Sequence, residues 1–143
     1  TRKLSEINSA DFDAIFYAGG HGPLWDLVSD LNSIRLIEEF WASEKPVASV
    51  CHGPIVLINA KLNNGEFIVA GRKVTGFSNR EEDAFGLSDV VPFMLETELV
   101  KRGGIYASKD LFEEFAVRDG NLITGQNPAS SAATANLLLE ALD

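Results

Sequence analysis

Short apolar runs alternate with amphipathic stretches along the chain, and the two periods mark strands and helices in turn. Asp13-Ala14-Ile15-Phe16-Tyr17-Ala18 predicts a buried strand that stops at Gly19-Gly20-His21-Gly22. Residues 33–43 carry Ile34, Ile37, Phe40 and Trp41 on one helical face and Arg35, Glu38 and Glu39 on another. Pro46-Val47-Ala48-Ser49-Val50 is a second short strand. It runs into Cys51-His52-Gly53-Pro54, and the apolar residues 55–60 that follow predict a buried helix. Residues 67–70 and 73–76 read as short strands around a turn at Gly71.

Ser78-Asn79-Arg80-Glu81 has the form of a capping box, so a helix should begin there. Residues 92–102 predict another helix, with Phe93, Met94, Thr97 and Val100 inside, Glu98 and Arg102 paired, and Gly103 as its stop. Residues 105–107 suggest a strand. Residues 115–118 and 121–124 predict a hairpin with Asp119-Gly120 as a two-residue turn. Asn127-Pro128 then opens a last helix to about Leu142, with Ala133, Leu137 and Leu138 inward.

Strands alternating with helices over short connections predict an α/β fold, a mostly parallel sheet covered by helices. Ligands bind such sheets beyond the carboxyl ends of the strands. Two loops at those ends hold both histidines of the chain, His21 and His52. The length of 143 residues fits one domain, residues 1–143. Lys and Arg number 12 against 21 Asp and Glu, a formal net charge of −9, which argues against a nucleic-acid partner. No window approaches about 18 consecutive apolar residues, and residues 1–6 lack a signal-peptide core. The expectation is a cytoplasmic protein with no membrane association. One cysteine, Cys51, excludes an internal disulfide and a paired-cysteine zinc site.

Cys51 sits between a strand and a predicted helix, the setting of a nucleophile elbow. Ser49 and Gly53, two residues to either side, are small enough for the tight backbone. Helix N–H groups, the helix dipole and His52 would favour a thiolate; the alternative is an inert core thiol. The backbone of Gly19, Gly20 and His21 offers unobstructed N–H groups for a developing oxyanion, or simply a tight turn. An imidazole paired with a thiolate needs a carboxylate to orient it. Glu81, Glu82 and Asp83 are the candidates, and the pattern alone does not choose among them.

The ordered segments AGGHG, VASVCHGP, VTGFSNREEDAFG and VRDGNLITGQNPASSAATA resemble the DJ-1/PfpI superfamily, most of all its Hsp31-like class. The resemblance covers essentially the whole chain. It implies a flavodoxin-like fold, with Cys51 as nucleophile, His52 as its partner and Glu82 as the triad acid. It also implies that the backbone of Gly20 and His52 supplies oxyanion donors, that no cofactor or metal is needed, and that the protein is a homodimer. Members of the class are described as glutathione-independent glyoxalases (D-lactate dehydratases), stress chaperones and protein deglycases. The resemblance therefore implies a small 2-oxoaldehyde such as methylglyoxal as substrate.

Family members carry an earlier strand, helix and strand before AGGHG, and an early Glu against the Cys sulfur. Neither has a match before Gly19. The expectation is a cleaved or truncated protein whose N-terminal strands are lost or held as a separate segment. The PfpI branch offers a cysteine peptidase as an alternative. Glutamine amidotransferases need a histidine near the C-terminus, and His21 and His52 are the only two here.

Overall fold

Val47–Val50 (β2) is buried at every position, which requires a central strand covered on both faces. In the computed structural model, which describes residues 1–143, β2 pairs in parallel with Ile15–Tyr17 (β1) on one side and Leu122–Gly125 (β6) on the other. Ala116–Asp119 (β5) joins β6 antiparallel, so the order is β1-β2-β6-β5. Lys73–Val74 (β3) and Ile105–Tyr106 (β4) form a separate parallel pair. The four helices are Leu31–Ala42 (α1), Asn79–Phe85 (α2), Leu95–Lys101 (α3) and Ser131–Leu142 (α4). The result is a mixed, mostly parallel sheet flanked by helices, the expected flavodoxin-like arrangement.

Successive strand residues face opposite sides of a sheet. Tyr17, Ser49 and Thr124 lie in one register row, and the Tyr17 hydroxyl hydrogen-bonds the Ser33 hydroxyl of α1 at 2.8 Å. Val50 and Gly125 lie in the next row. A Cβ on Gly125 would stand 2.0 Å from the Thr134 hydroxyl of α4. The two helices therefore cover opposite faces, and α4 approaches the sheet closely because position 125 has no side chain. No helix is long and apolar enough to cross a membrane.

Several expected elements differ in detail. Residues 55–60 form no α-helix: the chain makes a 3-10 helix over Gly53–Leu57, all of it buried. Residues 67–70 form no strand beyond one bridge between Lys61 and Phe67. Ile68 and Val69 are core residues carried on turns, so burial there did not signal extended backbone. α3 starts at Leu95, later than expected, and its inner residues are Leu95 and Leu99, while Val100 is 53% exposed. Asp119 pairs with Leu122, so the hairpin turn is Gly120-Asn121, with Gly120 at φ +60° supplying the left-handed position. In α4, Ala133, Leu137 and Leu138 are half-buried and Thr134 alone is fully buried.

Candidate active site

β1 and β2 end side by side, and the loops that follow them meet through glycines. A Cβ on Gly19 would stand 2.8 Å from the Cys51 Cβ, and one on Gly53 would stand 2.8 Å from the Tyr17 carbonyl. Only glycine lets AGGHG and CHGP pack this tightly. Cys51 follows the last residue of β2 at φ +61°, a left-handed conformation that costs a non-glycine residue about 1–3 kcal/mol. Its N–H donates to the Gly125 carbonyl at 3.0 Å, and its carbonyl accepts from Phe77 N–H at 2.9 Å. The elbow is thus clamped by β6 and by the segment leading into α2.

The sulfur lies 3.5 Å from His52 Nδ1 and accepts hydrogen bonds from the Gly20 and His52 backbone N–H groups. His52 is buried, and its Nε2 lies 2.5 Å from Glu82 Oε2. That contact fixes the tautomer: Nε2 carries the hydrogen, and Nδ1 faces the sulfur bare. The imidazole also packs against two rings, Phe77 at 4.2 Å and His21 at 3.8 Å between centroids.

The structure brings Gly19, Gly20, Cys51, His52 and Glu82 together at the ends of β1 and β2. His21 belongs to the same cluster, but it enters by its side chain rather than its backbone. Its Nε2 lies 2.9 Å from Glu82 Oε1, so the buried carboxylate is shared by two imidazoles. The ligand-type atoms of His21, His52 and Glu82 lie within 4.8 Å of one another, and both carboxylate oxygens are already taken up by the two Nε2–H groups.

The surroundings of Cys51 work against the expected thiolate. Burial pushes the Cys51 thiol above its ordinary range, and the charges of Glu81 and Glu82 add to this; the Gly20 and His52 N–H groups only partly oppose it. The dipole anticipated from a following α-helix is missing, because the turn after the elbow is a five-residue 3-10 helix. Burial also pulls His52 below its ordinary value, Glu82 opposing and His21 adding. Both shifts run toward the neutral forms, a thiol facing an uncharged imidazole.

Glu81 and Glu82 have divided their work. Glu82 turns to the histidines, while Asp83 accepts the Ser88 hydroxyl. Glu81 completes the capping box with Ser78, as expected. It does more than the sequence indicated. One oxygen accepts from Ser78 N–H and hydroxyl, each at 2.9 Å, and the other from Phe112 N–H at 2.9 Å, Gln126 at 3.1 Å and Asn127 at 2.8 Å. Burial works to raise its pKa, but these donors outweigh it and hold the carboxyl below its ordinary value. A depressed pKa contributes stability above the unfolded value that is lost as pH falls through the folded one. Glu81→Gln puts an amide N–H₂ against donors. It should cost about 2–4 kcal/mol of unfolding free energy at neutral pH, and denaturant titration should show the gap narrowing in acid.

The DJ-1/PfpI family model matches residues 1–141, and the chain belongs to that family. Among curated proteins it is 34% identical to "Probable glutathione-independent glyoxalase hsp3104" of Schizosaccharomyces pombe, covering 99% of this chain and 66% of that protein. It is 30% identical to "Glyoxalase 3" of Candida albicans, covering 99% and 63%. Among solved structures it matches Rapid Encystment Protein 24 KDa of Francisella tularensis with a TM-score of 0.97 at 39% identity, covering 99% of this chain and 63% of that one. Glyoxalase III of C. albicans matches with a TM-score of 0.92 at 29% identity, covering 98% and 61%. The chain thus spans somewhat under two thirds of the length of these relatives.

Proposed function

We propose that this chain carries the nucleophile, base and orienting acid of a glutathione-independent glyoxalase acting on methylglyoxal or a similar 2-oxoaldehyde. The observation that carries the reading is the left-handed elbow at Cys51, with the bare Nδ1 of His52 3.5 Å from its sulfur. The glyoxalase names of the relatives support the substrate class.

In this reading Cys51 attacks the aldehyde carbon. As the C–S bond forms, the thiol proton passes through His52 to the aldehyde oxygen, giving a hemithioacetal. The backbone N–H groups of Gly20 and His52, already aimed at the sulfur, receive the oxygen on which charge develops. A base, His52 or a carboxyl group placed against the sulfur as the family pattern implies, takes the hydrogen from the first carbon. The enediol is then reprotonated at the second. Water hydrolyses the resulting thioester, which frees the thiol and a 2-hydroxy acid, D-lactate from methylglyoxal. A neutral pair suits this chemistry, because the thiol proton is itself needed at the aldehyde oxygen.

The test is to incubate the full-length protein, N-terminal segment included, with methylglyoxal in the absence of glutathione and follow lactate by proton NMR. Lactate should form in proportion to protein. No lactate, or lactate only after glutathione is added, would overturn the reading.

A further inference from the structure

Glu82 is buried and makes two hydrogen bonds that use different oxygens. Oε2 takes Nε2–H of His52 at 2.5 Å, as a triad acid should. Oε1 takes Nε2–H of His21 at 2.9 Å, across 61 residues of sequence. The His21 ring also lies against the His52 ring, 3.8 Å between centroids and tilted by 35°. Its side chain is 30% exposed, so His21 stands at the rim of the site rather than in the core. The backbone around it is built to bring it there: Gly20 adopts φ +100°, and His21 caps the 3-10 helix Gly22–Leu24 that turns the chain away.

We propose that His21 is a positioning residue of the site: by occupying the second oxygen of Glu82 it pins the carboxylate in the plane that holds His52 with Nδ1 bare toward Cys51. A carboxylate anchored through one oxygen can pivot about its terminal torsion, which is broad and roughly two-fold. A second donor on the other oxygen removes that freedom. The His21 ring, packed against His52, limits the room that ring has to turn. The catalytic part of this inference rests on the proposed glyoxalase reading; the positioning itself does not.

Two substitutions separate the hydrogen bond from the ring. His21→Phe keeps the packed ring and loses the donor. His21→Gln keeps an amide N–H at nearly the position of Nε2 and loses the ring. Because His21 is partly exposed, both variants should fold, which circular dichroism checks. His21→Phe should lower kcat for methylglyoxal by about 10- to 100-fold, the size expected for a lost hydrogen bond to a charged group, with KM nearly unchanged. His21→Gln should recover most of that loss.

The second readout needs no turnover. Nitrogen-15 NMR of labelled histidine should show His52 as a single Nε2–H tautomer in the wild type and in His21→Gln, and as a tautomer mixture in His21→Phe. If Phe and Gln variants behave alike in both readouts, or if the loss falls on KM alone, His21 does not position the triad. If no form of the protein converts methylglyoxal, the glyoxalase reading fails and the tautomer comparison alone decides the role of His21.

Discussion

Cys51→Ala is expected to lower methylglyoxal turnover by about 10⁴-fold or more, to background, while leaving the fold in place. Every covalent step of the proposed reaction passes through the sulfur, and Cys51 is the one cysteine among residues 1–143. The substitution removes one buried atom and keeps the backbone clamps to Gly125 and Phe77, which use main-chain groups only. Cys51→Gly sharpens the point. At φ +61° glycine relieves strain that cysteine bears, so this variant should unfold at no lower denaturant concentration than Cys51→Ala while being equally inactive. A side chain held in a conformation that a smaller residue would occupy more comfortably marks where stability has yielded to chemistry. Turnover within tenfold of wild type in either variant would remove the covalent mechanism.

Glu82→Gln is expected to lower turnover by about 10³–10⁴-fold with little change in stability, the effect that a wrong imidazole tautomer has in a nucleophile–His–acid triad. The amide can donate to His52 Nε2, which drives the ring hydrogen to Nδ1. A protonated Nδ1 3.5 Å from the sulfur cannot accept the thiol proton. His52 is already pulled below its ordinary pKa by burial, and the carboxylate is the main influence holding it up. Losing that charge lowers its basicity further. Glu81→Gln separates the two neighbours: its cost should appear as stability, through Ser78, Phe112, Gln126 and Asn127. If Glu81→Gln proved inactive but stable, and Glu82→Gln unstable but active, the assignment of the two carboxylates would be reversed.

The fold class and the elbow were legible because both depend on local pattern. Val47–Val50 is short, uninterrupted and followed by small residues around Cys51, so strand and turn follow from neighbours in sequence. The capping box at Ser78 was legible for the same reason. Choosing Glu82 over Glu81 and Asp83 was not possible from the residues alone and came from family resemblance. The distinction depends on which carboxylate faces a histidine 30 residues away. The role of the His21 side chain was missed because its partner is more distant still, and AGGHG read as backbone chemistry. Asn127 read as a helix cap, yet its side-chain amide reaches Glu81 and the Glu113 carbonyl.

The expected thiolate meets an opposing environment for a physical reason. A strand-to-helix elbow suggests a helix dipole, but Gly53-Pro54 leads into a tight 3-10 turn instead, and burial beside Glu81 and Glu82 then decides the charge state. The inner stripe of α3 was placed on the wrong residues because the helix begins at Leu95 rather than Pro92.

The most direct test of the central claim, that Cys51 is the nucleophile of a 2-oxoaldehyde-converting site, is an alkylation titration. The protein is treated with increasing iodoacetamide, peptide mass spectrometry gives the fraction of Cys51 modified, and methylglyoxal turnover is measured on the same samples. Turnover should fall linearly to zero at complete modification of Cys51, and methylglyoxal present during the treatment should slow the labelling. Turnover that persists once Cys51 is fully alkylated would contradict the account.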